Sequence, residues 1–387
     1  IYWDGSRGDE KWSKDDNWTT GSNPDAADAV VEINDDYLET TTYEINVDKS
    51  RDLGSLTLDS TQNWLIRNKA LRFDVSSGNA SLTISSDSSG NNEISADIKV
   101  KDNLDLTNNG SGTLTLSSGE IKADISGTTT LTLGGTGATV ASAPFEDGGG
   151  ASKLLAIEKT GSGALTLSSS GNTFTGGFTL TEGSVLIGDD NVFNSNESGS
   201  LTLNGGALEA SGGSRTVSNP VTVGGDYTIG GANALELSGT MALGGATREV
   251  TVSNTADTTF SGIISNGGVT KAGAGALQFS ANNTYASGTT INAGTLQMSH
   301  ENALGTGAIT INSGGTLEVN FSNATAGSGN LTLSGGTIDR TIAQGTESTF
   351  SGQLDLSGSS TIKDSGNTAS GALTLSGVLN VNGGTTT

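Results

Sequence analysis

Chemistry in a polypeptide needs titratable or nucleophilic side chains brought together, so the first question is where this chain keeps them. It has one histidine, His300, in "MSHENALG". A Ser-His-Asp arrangement would have to run through it, but the neighbouring Ser299 and Glu301 cannot both reach its ring in triad geometry. His300 therefore reads as an exposed loop residue. The absence of cysteine removes thiolate nucleophiles, disulfides and thiolate metal sites together. Carboxylates are plentiful, and three adjacent pairs stand out: Asp15 with Asp16, Asp35 with Asp36, and Asp189 with Asp190. A glycosidase needs paired carboxylates, and a polysaccharide lyase would add basic residues on the same face. None of the pairs recurs at a fixed spacing with Arg or Lys beside it, so they read as solvated turn residues. The same oxygens could hold Ca²⁺ on a flexible loop. Neither the EF-hand nor the "GGxGxD" spacing occurs, which leaves Asp15, Asp16, Asp189 and Asp190 as calcium candidates and no other cofactor expected. Arg7-Gly8-Asp9 matches a tripeptide that integrins bind and is the adhesion candidate. No P-loop, dinucleotide fingerprint or metalloprotease motif is present. The expectation is a protein without catalysis.

The composition agrees. Of 387 residues, 58 are Gly and 3 are Pro, the hydrophobic share is 33 % and the aromatic share 5 %. Those values are low for a compact globule, but the apolar residues fall in short alternating runs rather than being scattered. The formal charge is −23. So acidic a surface repels phosphate backbones and anionic lipid, which excludes nucleic acid and membrane surfaces as main partners. No stretch approaches the ~18–20 apolar residues of a spanning helix. The chain begins at Ile1, as a processed polypeptide or a fragment would.

The elements that must position any site are short strands. An "xLxL" pair recurs, as in "GSLTL" (54–58), "ASLTI" (80–84), "GTLTL" (112–116), "GALTL" (163–167), "GALQF" (275–279) and "GNLTL" (329–333). Each alternates with period two, and "SGG", "NGG" or "SG" often follows as a turn. No segment has helical period. A sandwich and a solenoid both fit short strands, and the repeats decide for the solenoid. "KTGSGALTLSSSGNTFTGGFTLTEGSVLI" (159–187) answers "KAGAGALQFSANNTYASGTTINAGTLQM" (271–298). Lys159 matches Lys271, and Leu165 and Leu167 match Leu277 and Phe279. After a one-residue slip, Asn172-Thr173-Phe174 matches Asn283-Thr284-Tyr285, and Gly183 matches Gly294. Leu277, Phe279, Ile291, Leu296 and Met298 are expected to form inward columns.

Stacked about 4.8 Å apart, such ridges gain ladder hydrogen bonds and a continuous apolar column. The expected fold is all-β, a right-handed parallel β-helix. At roughly 20–25 residues per coil it would have about 16–19 coils over a length on the order of 80 Å. Residues 1–52 hold 19 of the 59 charged residues, and all four Trp lie at or before Trp64. This segment is expected to be an N-terminal cap with first-rung strands in "DAVVEIN" (28–34) and "TYEINVD" (42–48). Residues 53–387 would form one continuous solenoid, uncapped at "GVLNVNGGTTT" and so continued or covered by another chain.

The "KxGxGxLxxSxxNTYxGxTxIxAGTLQ" pattern at 271–297 resembles the autotransporter-associated β-strand repeat of bacterial surface proteins, and the copy at 159–187 matches it more loosely. The opening "YWDG…KWSKDDNW…NPDAADAVVEIN" is similar to a lead-in of such proteins. The resemblance implies a parallel β-helix, secretion, and an adhesive or structural role at a bacterial cell surface. No C-terminal β-barrel translocator can be read in the chain, so the route of secretion stays open. Partners would be surface or matrix molecules, polysaccharide among them, or copies of the chain. Two alternatives stand beside the adhesive solenoid: a subunit of a filament or sheath stacked end to end, and a polysaccharide lyase or glycosidase on the same fold.

Overall fold

The computed structural model describes residues 1–36, 43–117, 119–150, 152–194, 199–321, 324–326, 329–342, 347–366 and 372–382. Its contacts divide into two compact units, Ile1–Leu201 and Thr202–Thr387. Each is a parallel β-solenoid, and the only helical element among the described residues is a single 3₁₀ turn, Asp15–Asn17.

In the first unit the chain visits three sheets in turn. One runs through seven strands from Val30–Asn34 to Phe178–Leu180, and the second through seven from Glu44–Val47 to Ser184–Ile187. The third has five, from Arg51–Leu53 to Phe145–Glu146. In the second unit one sheet runs through nine strands from Ala207–Ala210 to Leu379–Asn382, and its neighbour has eight from Arg215–Val217 to Thr361–Asp364. Many strands have only three residues, such as Leu114–Leu116.

Register explains why such short strands persist. Leu56 pairs with Leu82, Leu82 with Leu106, and Leu106 with Leu133, so one inward leucine column crosses four rungs. Ile291, Ile311, Leu333 and Leu356 do the same in the second unit. All eight side chains are buried. Each rung thus removes apolar surface from water against the rungs on both sides, at roughly 25 cal/mol per Å². The five inward residues expected around 271–298 are all buried.

Among the described residues the sheet that starts at Glu44–Val47 has seven rungs in the first unit, and the one that starts at Ala207–Ala210 has nine in the second, joined within the units by six and eight registered turns, about 14 in all. Residues 1–43 precede the first strand of the second sheet, and some turns are long: Ile66 pairs with Ile94, 28 residues on. The Trp-rich opening lies along the first rungs. Tyr2 bridges Glu32, and Lys11 bridges Asn46, both in parallel. Trp3, Trp12 and Trp18 are buried edge to face, with centroids 5.0 and 4.7 Å apart.

Candidate functional site

The residues singled out for chemistry are already partnered locally. Arg7 Nε donates to Asp9 Oδ2 at 2.9 Å, so the two charged ends of the Arg7-Gly8-Asp9 tripeptide pair with each other. Arg7 also reaches Asp16 at 3.3 Å, and Asn17 donates to Asp9 at 2.9 Å. Asp15 accepts from the backbone and side-chain nitrogens of Asn23 at 2.9 and 2.6 Å, which lowers its pKa. Asp189 accepts from Asn191 N at 2.9 Å, a local turn bond, and Asp190 is exposed. Asp35 is held by Ser60 and Thr61. His300 Nδ1 accepts from Asn302 N at 3.1 Å. Among the described residues, no three His or acidic side chains gather as a metal set would require.

The sequence reading missed two lysines. Lys159 stands in the inward leucine column, between Leu133 and Leu180. Lys271 stands between Val250 and Ile291. They are 3 % and 0 % exposed. An ammonium has three donors and must spend them when buried. Lys159 Nζ donates to the carbonyls of Thr160, Gly161 and Glu182 at 2.6, 2.6 and 3.3 Å. Lys271 Nζ donates to those of Ala272, Gly273 and Ala293 at 2.8, 2.8 and 3.1 Å. Each lysine therefore binds its own corner to the corner of the next coil. Burial pushes both down to about 8, opposed at Lys159 by Glu182. The signal was present in the sequence: in "AIEK" and "VTK" the period-two alternation puts Lys on the inward face.

The glycines of the motif make room for this contact. Gly161 and Gly273 have φ of +68° and +76°, which fits the tight return of the chain under the ammonium. Gly183 and Gly294, at φ +76° and +65°, leave no space for a side chain. A Cβ on Gly183 would lie 2.4 Å from Gly161 O and 2.7 Å from Lys159 Nζ; one on Gly294 would lie 2.5 Å from Gly273 O.

The same coils lack a strand on one side. The third sheet of the first unit ends at Phe145–Glu146. In the next coil Asn172 Oδ1 accepts from Phe145 N at 2.8 Å, and Thr173 N donates to Phe145 O at 2.9 Å. Asn172 Nδ2 reaches onward to Val192 O at 2.6 Å. In the second unit Asn283 Oδ1 accepts from Ile264 N at 2.7 Å, Thr284 N donates to Ile264 O at 2.9 Å, and Asn283 Nδ2 reaches Ala303 O at 2.6 Å. Ile264–Ser265 is likewise the last strand of its sheet. The Asn-Thr-aromatic loop thus satisfies a sheet edge that would otherwise be a buried row of unpaired groups.

Outside, cations are consumed by acids. Asp52, Arg72, Lys99 and Lys122 stand in one outward column; Arg72 pairs with Asp52, and Lys99 and Lys122 both pair with the adjoining Glu120. Burial works against the Glu120 charge, but the two lysines hold it down at about 2. In the second unit a groove of about 290 Å³ crosses four adjacent strands, with Thr259, Gln278, Gln297 and Glu318 on its floor.

Residues 157–187 and 269–298 match the family model described as Passenger-associated-transport-repeat. Over 160 residues, 41 % of the chain, it is 32 % identical to the adhesin BmaC autotransporter of Brucella suis biovar 1 (strain 1330). The chain spans about 4 % of the length of that relative. No solved structure matches significantly. The two matched segments are similar to autotransporter passenger repeats, and both are the coils that carry the buried lysine and the Asn-Thr-aromatic loop.

Proposed function

We propose that this solenoid works outside a bacterial cell, displayed at its surface as an adhesive scaffold, and that it catalyses nothing. One observation carries the reading: the buried lysines, glycines and asparagines of the matched repeats are spent on holding coils together, which leaves the exterior as the part free to act. The likeness to an adhesin autotransporter supports the same role. The net charge of −23 keeps a large polar exterior soluble. The Trp-rich segment, with Trp3, Trp12 and Trp18 buried against the first rungs, serves in this reading as the cover of that end.

The test is direct. Beads coated with the whole chain are passed over immobilised matrix proteins, glycans, cell layers and the chain itself. Retention at least about fivefold above beads carrying an equally acidic, non-adhesive protein is expected on one or more surfaces. No retention on any of them would overturn the adhesive reading, and soluble products released from a polysaccharide panel would overturn the non-catalytic one.

A further inference from the structure

We infer that the groove over Thr259, Gln278, Gln297 and Glu318 is a binding site for an uncharged linear polysaccharide lying along the stacking direction. This deepens the adhesive reading and rests on it. The four residues occupy one outward column in consecutive register. They present one polar side chain per rung, at the ~4.8 Å spacing of the sheet. A binding row that repeats at a fixed short step suits a ligand that also repeats.

The chemistry of the row selects hydroxyls. Gln278 Nε2 donates to Ser299 Oγ at 2.8 Å and Gln297 Nε2 to Glu318 Oε1 at 2.7 Å, which orients both amides and uses one hydrogen of each. Glu318 Oε1 also accepts from Thr341 at 2.8 Å. Gln297 Oε1 and Glu318 Oε2 have no partner among the described residues, and each amide keeps a second hydrogen. Fixed planar amides and a carboxylate, with both donor and acceptor capacity left, match the paired hydroxyls of a sugar ring. The two charged residues lining the groove are Asp257 and Glu318. With no cation on its walls, and with a chain charge of −23, an acidic polymer is repelled. No aromatic side chain lines it either, and Leu277 is buried, so an apolar peptide gains little there.

Calorimetric titration of the whole chain tests this. The probes are neutral β-1,4-linked hexasaccharides of glucose, mannose and N-acetylglucosamine, with hexagalacturonate as the acidic comparison. At least one neutral probe is expected to bind and hexagalacturonate to fail. Gln278→Ala with Gln297→Ala should weaken binding at least about tenfold with an unchanged circular dichroism spectrum. Thr290→Ala with Thr310→Ala, on the outward face of the neighbouring sheet, should leave it intact. Failure of every neutral probe, binding of hexagalacturonate as tight as theirs, or equal loss in both variants would overturn the assignment. Beads that adhere while no oligosaccharide binds would sink the groove and leave adhesion standing. Oligosaccharide binding without bead retention would do the reverse.

Discussion

The coil that starts at Lys159 and the coil that starts at Lys271 lie in different units, yet they solve one problem with the same polar atoms and different apolar ones. In both, a buried ammonium holds three carbonyls, a glycine with positive φ faces it, and an asparagine bridges to the coils on either side. Their apolar fillings diverge. The first copy packs Phe174 against Phe145 and Phe178 against Phe193. The second joins Tyr285 to Thr289, and Thr289 to the carbonyl of Leu304. The apolar filling therefore differs between the two copies, while the polar atoms that replace a missing strand are shared. Three-stranded coils, such as the one through Leu104–Asn108, Leu114–Leu116 and Ile121–Ala123, satisfy their backbone by ladder pairing and carry no such lysine in these strands.

The comparison breaks first at the glycines. Gly183→Ala and Gly294→Ala each force a side chain into positive φ and onto backbone oxygen at 2.4 and 2.5 Å. Backbone atoms of adjacent coils cannot step aside cheaply, so each should cost ~2–4 kcal/mol. Amide exchange in Ser184–Ile187 and Gly294–Met298 should accelerate on the order of a hundredfold while distant rungs stay protected. Gly78→Ala, with positive φ but nothing near its Cβ, should cost less. Equal costs at all three would show that φ alone, and not the lysine corner, constrains the motif.

The lysines give the next effect, and it is one of pH. Both sit at about 8 in the folded chain against an ordinary 10.5. Between those values the unfolded chain binds protons that the folded chain does not, so stability rises with pH across that range. Tyr227 and Tyr285, raised by burial, pull the other way only above the ordinary tyrosine value of 10.0, which confines the clean window to pH 8–10. The gain should be on the order of 1–3 kcal/mol per lysine. Urea midpoints of the native chain should climb from pH 8 to 10, and those of Lys159→Met with Lys271→Met should stay flatter. Parallel pH curves for the two proteins would remove the buried ammonium from the account.

How far the sequence could be read follows from what each feature repeats. Leucine at every second position of "GTLTL" and "GALTL" placed the inward columns, because burial of one face leaves a direct trace. The exterior groove left none, since Gln278, Gln297 and Glu318 become a row only through register across coils of 19 and 21 residues. The lost strand was equally hidden: "NTF" and "NTY" look like turns, and their bonds run to residues 27 and 19 positions away. Lys159 and Lys271 were visible as matching letters, but hydrophobic patterning assigns lysine to the surface, and nothing local announces that three carbonyls await it.

The smallest effects are the most specific. Phe178 and Thr289 open equivalent strands, Phe178–Leu180 and Thr289–Ile291. Thr289 Oγ1 donates to Leu304 O at 3.2 Å, so its bond to Tyr285 at 2.7 Å must carry the tyrosine hydrogen. Tyr285→Phe removes that bond but strands nothing, because Thr289 keeps its carbonyl; a loss near ~1 kcal/mol follows. Phe174→Tyr puts a hydroxyl into a buried site where Phe178 and Phe193 replace Thr289 and Leu304. An unpartnered hydroxyl there should cost ~1–3 kcal/mol, more than its mirror change. Adding Phe178→Thr restores a partner but opens space beside Phe193, so the pair should recover the hydrogen bond and not the packing. A thermodynamic cycle over Phe174 and Phe178, read by amide exchange in Phe178–Leu180, isolates that coupling. A coupling indistinguishable from zero would mean that the two fillings are interchangeable residue by residue, and that only the lysine, glycine and asparagine positions define the coil.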